Sequence, residues 1–189
     1  MNIVDAVTSL GGIELRVDDW GIDAIYSGSQ KCLSAPINSL FALHAALQIL
    51  EREGIENSWQ RHAANHELLR AELEQVGIEF IVAPDYRLPQ LNSVTIPGGV
   101  DDANVRSHLL NEFDLEIGAG LGPLAGKIWR VGLMGASSTP DHVSLCVKAL
   151  KSAGVSAWSD RELVIQGQLA NTLPGGGEYC ISYRGRDRR

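Results

Sequence analysis

The sequence predicts a chain of mixed helices and strands, α/β or α+β, and three observations predict it. Short apolar runs bounded by glycine and small polar residues read as strands. Longer stretches with apolar residues every three or four positions read as helices. The two alternate through most of the chain, each helix opened or closed by a capping residue. The chain has 189 residues, 44% of them hydrophobic, which is enough for a sizeable core and excludes wholesale disorder.

Ile3-Val4-Asp5-Ala6-Val7 is a short apolar run with an acid near its carboxyl end, and it predicts a buried parallel strand. Residues 23–27 predict the next strand, and a two-stranded sheet needs further partners to stand alone. Ser34-Ala35-Pro36 resembles a helix start, with proline suited to the first turn. A helix over 37–53 follows, stopped by Gly54; apolar on most sides, it is expected to be buried. A second helix runs over 55–76 to Gly77, with Trp59, Ala63, His66, Leu69, Leu73 and Val76 on one stripe. Glu56, Arg61, Glu67, Arg70, Glu72 and Glu74 form its expected solvated face.

Strands are then expected over 78–83 and 93–96. Asp101 and Asp102 suit the positive end of a helix over 105–113. Strands over 115–117 and 127–133 flank a glycine-rich loop, and Thr139-Pro140-Asp141 opens a last helix through Lys151 to Gly154. From 155 to 189 no period is sustained, and the stretch carries Pro174-Gly175-Gly176-Gly177 and a basic end. It is expected to be a poorly ordered tail.

Composition removes several functions. A formal net charge of −7 and a pI near 5.2 do not suggest a nucleic-acid binder. The most apolar helix is too short, and too interrupted by polar residues, to span a bilayer. Met1 to Asp5 lacks a secretory signal, and Asp187-Arg188-Arg189 is not a peroxisomal address. Cys32, Cys146 and Cys180 offer neither a disulfide framework nor metal-ligand spacing, so a cytoplasmic setting is expected. His62 and His66 stand four apart, but without a third ligand a packed helix face is the simpler reading and no metal is expected. Gly118-Ala119-Gly120-Leu121-Gly122-Pro123 follows a strand but leads into proline and another strand, unlike a dinucleotide-binding turn.

The informative pair is Asp5 and Lys31. Lys31 stands 26 positions after the acid, behind Ser27-Gly28-Ser29-Gln30, and the spacing leaves room for a strand, a crossover and a second strand. Singly, such residues end strands or sit in solvent. Together they have the layout of a pyridoxal 5'-phosphate pocket, with a carboxylate for the ring nitrogen and an amine for the aldehyde. A nearby carboxylate favours the protonated ring nitrogen that such chemistry needs.

The runs Asp5-Ala6-Val7-Thr8-Ser9-Leu10-Gly11-Gly12 and Ser27-Gly28-Ser29-Gln30-Lys31 resemble the alanine–glyoxylate and serine–glyoxylate aminotransferases, in class V of the pyridoxal-phosphate enzymes. The resemblance continues through Ala35-Pro36-Ile37-Asn38-Ser39-Leu40 and through residues 120–135, which include Lys127-Ile128-Trp129-Arg130-Val131-Gly132, and fades after Gly154. Cysteine desulfurases of the class typically place histidine before the lysine; Gln30 here favours the glyoxylate branch.

The resemblance implies an α/β, partial fold-type I transferase. Residues 1–36 would be the remnant of the large, parallel-sheet domain, 37–54 a connecting helix, 55–154 a small α/β domain and 155–189 a tail outside the family. It implies that Lys31 carries the cofactor and shuttles a proton, that Asp5 pairs with the ring nitrogen, that Gln30 bonds the cofactor's polar edge and that Arg130 grips the substrate carboxylate. The implied substrates are a small amino acid and a 2-oxo acid, and full-length relatives are homodimers. Two departures accompany it. The family's phosphate loop and its ring-stacking aromatic precede the Asp5 segment, and Ala35-Pro36-Ile37 looks like a splice. The residues expected there include a tyrosine and a threonine that reach the neighbouring subunit's cofactor. Impaired transamination is therefore expected. The other reading is a non-catalytic chain acting as an interaction or dimerisation module.

Overall fold

The computed structural model describes residues 1–36 and 40–155. Two short strands open the chain, β1 (Ile3–Asp5) and β2 (Ala24–Tyr26), paired in parallel with Ile3 opposite Ala24 and Asp5 opposite Tyr26. Two helices follow, α1 (Leu40–Glu53) and α2 (Ile55–Gln75). Then come β3 (Leu91–Thr95), α3 (Asp102–Phe113), β4 (Gly118–Ala119), β5 (Ile128–Gly132) and α4 (Pro140–Ser152). The last three strands form an antiparallel sheet in the order β3-β5-β4. The fold is a partial α/β arrangement, with the parallel pair at one end and a helix-covered antiparallel sheet at the other.

Local chemistry sets the element ends. Asp101 caps α3 by accepting the Asn104 amide at 2.7 Å, and Thr139 caps α4 by accepting the His142 amide at 3.2 Å with Pro140 in the first turn. Gly77 closes α2 with φ +75°, a conformation costly for other residues. Asp114 takes the same left-handed role after α3, at φ +49°.

The main hydrophobic cluster lies in the second part of the chain, with Ala6, Cys32, Leu33 and Ala35 buried apart from it. Leu69, Leu73, Leu109, Trp129, Val131, Leu150 and their neighbours are buried together, each large aliphatic contributing about 1.5–3 kcal/mol on burial. Val155, the last described residue and one place beyond Gly154, packs into the same core, its amide donating to Leu150. Residues 156–189, expected to be a tail, lie outside the described residues. No helix among the described residues is long and apolar enough to cross a membrane.

Several expectations need correction. No residue of α1 is buried; Leu40 is 83% and Phe41 90% exposed, because among the described residues only α2 packs against this helix to any extent. The β1 strand is exposed at both ends for a similar reason: β2 is its only partner strand among the described residues. Residues 78–83 form no strand. Phe80 bridges Val94 once, and the chain turns away at the 3-10 turn Pro84–Tyr86. Residues 115–117 also stay out of the sheet, as the Leu115 amide folds back onto the Leu109 carbonyl, and pairing begins at Gly118. Ser34, Ala35 and Pro36 are themselves non-helical. The first described helical residue is Leu40, and residues 37–39 are outside the description.

The stripe of α2 is also turned. Its second half buries His66, Leu69 and Leu73 as the spacing predicts. Its first half buries Ser58, His62 and Asn65 in place of Trp59 and Ala63. Stability should follow the core. Amide hydrogen exchange should be at least about tenfold slower across Ile128–Gly132 than across Ile3–Asp5, since exposed, two-stranded segments open locally at low cost. Equal protection in the two strands would contradict this distribution.

Candidate functional site

Parallel pairing places the ends of β1 and β2 on one edge, and ligands of parallel sheets gather beyond such carboxyl ends. Asp5 is the last residue of β1, and Lys31 follows β2 by one short loop. The two loops are stitched together. The Ala6 amide donates to the Tyr26 carbonyl and the Ser27 hydroxyl to the Ala6 carbonyl, both at 2.8 Å. The Cys32 thiol donates to the Thr8 carbonyl at 3.3 Å. The structure thus brings the Asp5 and Lys31 segments together.

The Asp5 carboxylate accepts the Val7 amide and the Tyr26 hydroxyl, each at 2.8 Å. These bonds favour the ionised form, so the Val7 amide first and Tyr26 second hold the carboxyl below its usual range. The same bond pushes the Tyr26 phenol up. Lys31 is half-buried, and its carbonyl accepts the Ser34 amide at 2.8 Å. Gln30 is exposed and its amide folds back over Gly28. A Cβ at Gly28 would come within 2.5 Å of Gln30 Oε1.

Arg130 stands on the other sheet. It is the middle residue of β5, opposite Ser93 and Gly118, with Trp129 and Val131 turned into the core. Its Nε donates to the Ala119 carbonyl at 2.7 Å, laying the guanidinium along β4 where Gly118 leaves room. The connection to the Asp5 and Lys31 segments runs through the turn that follows β5.

That turn, Gly135–Ser138, holds the two parts of the chain together. On one side α2 grips it. Arg61 donates to the Gly135 and Ser138 carbonyls at 2.8 and 3.0 Å, and Asn65 to the Ser138 carbonyl at 2.8 Å. The His62 Nε2 accepts the Gly135 amide at 3.0 Å. On the other side the Ala136 amide donates to Ser34 Oγ at 3.0 Å. Ser58, one turn before His62, donates its hydroxyl to the Gly11 carbonyl.

Sequence reasoning misses these positioning residues. Arg61 was expected in solvent; it is half-buried, paired with Glu53 and bonded to two carbonyls. Tyr26 carries no motif signal beyond its place one residue before the Ser27 run. His62 and His66 share a buried face but take different partners, His66 pairing with Asn92 at 2.6 Å. Among the described residues no three His, Cys, Asp or Glu side chains group to hold a metal. A separate cleft of about 350 Å³ lies between α2 and the 84–87 turn, lined by His66, Glu67, Arg70, Glu74, Pro84 and Arg87. Its charges are internally matched, Arg70 bonding both Glu67 and Glu74.

No family model matches the chain. Individual relatives do. Alanine–glyoxylate aminotransferase of Callithrix jacchus is 32% identical over 203 residues, covering 80% of this chain and 49% of the relative. Among solved structures, alanine–glyoxylate aminotransferase from Nostoc sp. superposes with a TM-score of 0.76 at 38% identity, covering 80% of this chain and 53% of that one. Pyridoxamine–pyruvate aminotransferase from Mesorhizobium loti gives 0.74 at 26% identity, covering 86% and 54%. The chain therefore spans about half the length of the relatives it matches. The alignment with the Callithrix relative runs over more positions than the residues of this chain it covers, so that relative carries a stretch within it that this chain lacks.

The Asp5–Tyr26 bond yields a direct test. Tyr26→Phe removes one of two donors, so the Asp5 carboxyl should rise toward 3.8, the ordinary value, without passing it. The sign follows from the lowered native value: the bond's contribution is present above the unfolded value and is lost as pH falls through the native one. A carbon-13 NMR titration of the Asp5 carboxyl reads this, and an unchanged midpoint in the variant would remove Tyr26 from the site.

Proposed function

We propose, for a chain that belongs by sequence and fold to the class V aminotransferases of the alanine–glyoxylate type and spans about half their length, that Asp5, Lys31 and Arg130 are the elements of a transamination site. The observation that carries the proposal is the parallel β1–β2 pair, which delivers an anionic carboxylate and a lysine to one edge. The relatives' names support amino acid and 2-oxo acid substrates, alanine or serine with glyoxylate being the reading favoured by the motif around Gln30 and Lys31.

The chain's own groups fit pyridoxal 5'-phosphate at its ring-nitrogen and aldehyde ends. Once bound, that cofactor supplies an electron sink for the carbon that loses its proton. Asp5, kept anionic by the Val7 amide and Tyr26, holds a proton on the ring nitrogen. The Lys31 amine would hold the aldehyde end and serve as the group that carries the proton of the substrate carbon. Arg130 would offer its guanidinium as a two-pronged clamp for a carboxylate. Gln30 bonds the polar edge of the ring. A homodimer in the cytoplasm is the setting we infer for the active form.

We assign no phosphate-holding group among the described residues. Charge-assisted bonds to phosphate rank among the strongest available, and a misplacement of about 1 Å costs about a hundredfold in rate. We therefore infer impaired turnover in this chain. A second reading, a non-catalytic interaction module, is favoured by the apolar exposure of α1 at Leu40, Phe41 and Ile49.

Two measurements separate these readings. Borohydride reduction in the presence of pyridoxal phosphate should fix label on Lys31, and Lys31→Ala should abolish it; label retained on the variant sinks the assignment, and no label on the unaltered chain favours the interaction module. Glycine formation from alanine or serine with glyoxylate should fall well below about 1 per second, the lower end of ordinary enzymes. Turnover at or above that rate would show that the Asp5, Lys31 and Arg130 set is sufficient.

A further inference from the structure

We propose that His62 is a positioning residue, a latch that holds the Lys31 segment in place at neutral pH and releases it in acid. The inference stands whatever Lys31 binds, because it rests on the junction alone.

The geometry leaves His62 one protonation state. Its ring is fully buried, at 0% exposure. Nδ1 lies 2.7 Å from the Ser58 carbonyl, which can only accept, so Nδ1 carries the hydrogen. Nε2 lies 3.0 Å from the Gly135 amide nitrogen, which can only donate, so Nε2 must present its lone pair. Two backbone groups thus select the neutral ring with hydrogen on Nδ1.

A proton on Nε2 would set two N–H groups against each other. It would also place a positive charge beside Arg61, which holds the carbonyls of the same turn. Among the charged groups near the ring Glu53 favours the proton, but burial outweighs it. Glu53 on α1 is already paired with Arg61, and His66 on α2 is bonded to Asn92. The lysine segment brings Lys31 and the Cys32 thiol, which donates to Thr8. His142 at the start of α4 is bonded to Thr139. Burial already pushes the His62 ring below its ordinary range, with Arg61 adding to it. The relief open to a protonated ring is for Gly135 to move away.

Gly135 cannot move alone. It sits at φ +54°, and a Cβ there would come within 2.1 Å of Ser34 Oγ and 2.4 Å of the Cys32 carbonyl. The next amide, Ala136, donates to Ser34 Oγ at 3.0 Å. The Ser34 and Ala35 amides in turn close the lysine loop onto the Lys31 and Ser29 carbonyls. Release of Gly135 therefore unclamps residues 32–35 and with them Lys31.

The sign is fixed by linkage. A histidine whose native value is lowered contributes stability that is complete above its unfolded value of 6.5 and is lost as pH falls toward the native value. Protection factors from amide exchange at pH 7.5 and pH 5 read the latch. In the unaltered chain, protection at Gly135, Ala136, Ser34 and Ala35 should fall at least about tenfold on acidification, a loss of about 1.4 kcal/mol, while Ile128–Gly132 stays constant. His62→Gln, which can still accept from Gly135 but does not titrate, should keep neutral protection and lose the acid step. An acid step that persists in His62→Gln, or that is absent from the unaltered chain, overturns the proposal. Should His62→Gln lose the β5 protection as well, Ser34→Ala decides. This variant removes an exposed hydroxyl, and Ala35 should be deprotected already at pH 7.5 while Gly135 remains acid-sensitive. Unchanged protection of the lysine segment in Ser34→Ala would overturn the coupling.

Discussion

The molecule depends on one polar junction, the turn Gly135–Ser138 seated between α2 and the Lys31 segment. Arg61, His62 and Asn65 reach it from one helix face, and Ser34 meets it from the other side. Most of these contacts use backbone groups of the turn, the Ser138 hydroxyl also accepting from Asn65, so the fit depends mainly on where the chain runs. Gly135 is the exception. Its missing side chain and left-handed backbone let the Cys32 carbonyl and Ser34 hydroxyl come close. The junction links a core-bearing unit to a segment with almost no core of its own.

That asymmetry shapes how Asp5 and Lys31 are placed. The parallel β1–β2 pair buries little, and parallel strands are ordinarily covered on both faces. Its order is borrowed through the loops after the strands: Ser27 and Cys32 bond the carbonyls of Ala6 and Thr8, and Ser58 of α2 bonds Gly11. Asp5 and Lys31 are therefore placed largely by hydrogen bonds to backbone carbonyls, with the buried Ala6, Cys32, Leu33 and Ala35 beside them. Such placement is directional, and it weakens when one partner's protonation changes.

Arg130 illustrates the opposite case. It projects from the best-packed strand of the molecule, between two fully buried neighbours, and its Nε is tied to the Ala119 carbonyl. A guanidinium so anchored needs little further ordering to meet a carboxylate. The two halves of the candidate site thus differ in stiffness, one rigid on an antiparallel sheet and one held through a titratable latch. The exposed apolar residues of α1 add a surface that no described part of the chain covers.

Local signals determined a good deal. The caps at Asp101 and Thr139 and the helix end at Gly77 are each read within a few residues, because a cap or a turn is settled by its own backbone. The later half of α2 follows its periodicity for the same reason: its neighbours there are apolar and any apolar face suits them. Tertiary structure decided the rest. The first half of α2 turns Ser58, His62 and Asn65 inward against its apolar pattern, and Arg61 leaves the solvated face, since buried carbonyls and amides of a distant turn must be satisfied. Ser34 likewise accepts an amide 102 positions away. No periodicity carries that information, because the partner of a buried polar group is chosen by where remote backbone arrives, and that is known only once the chain has folded.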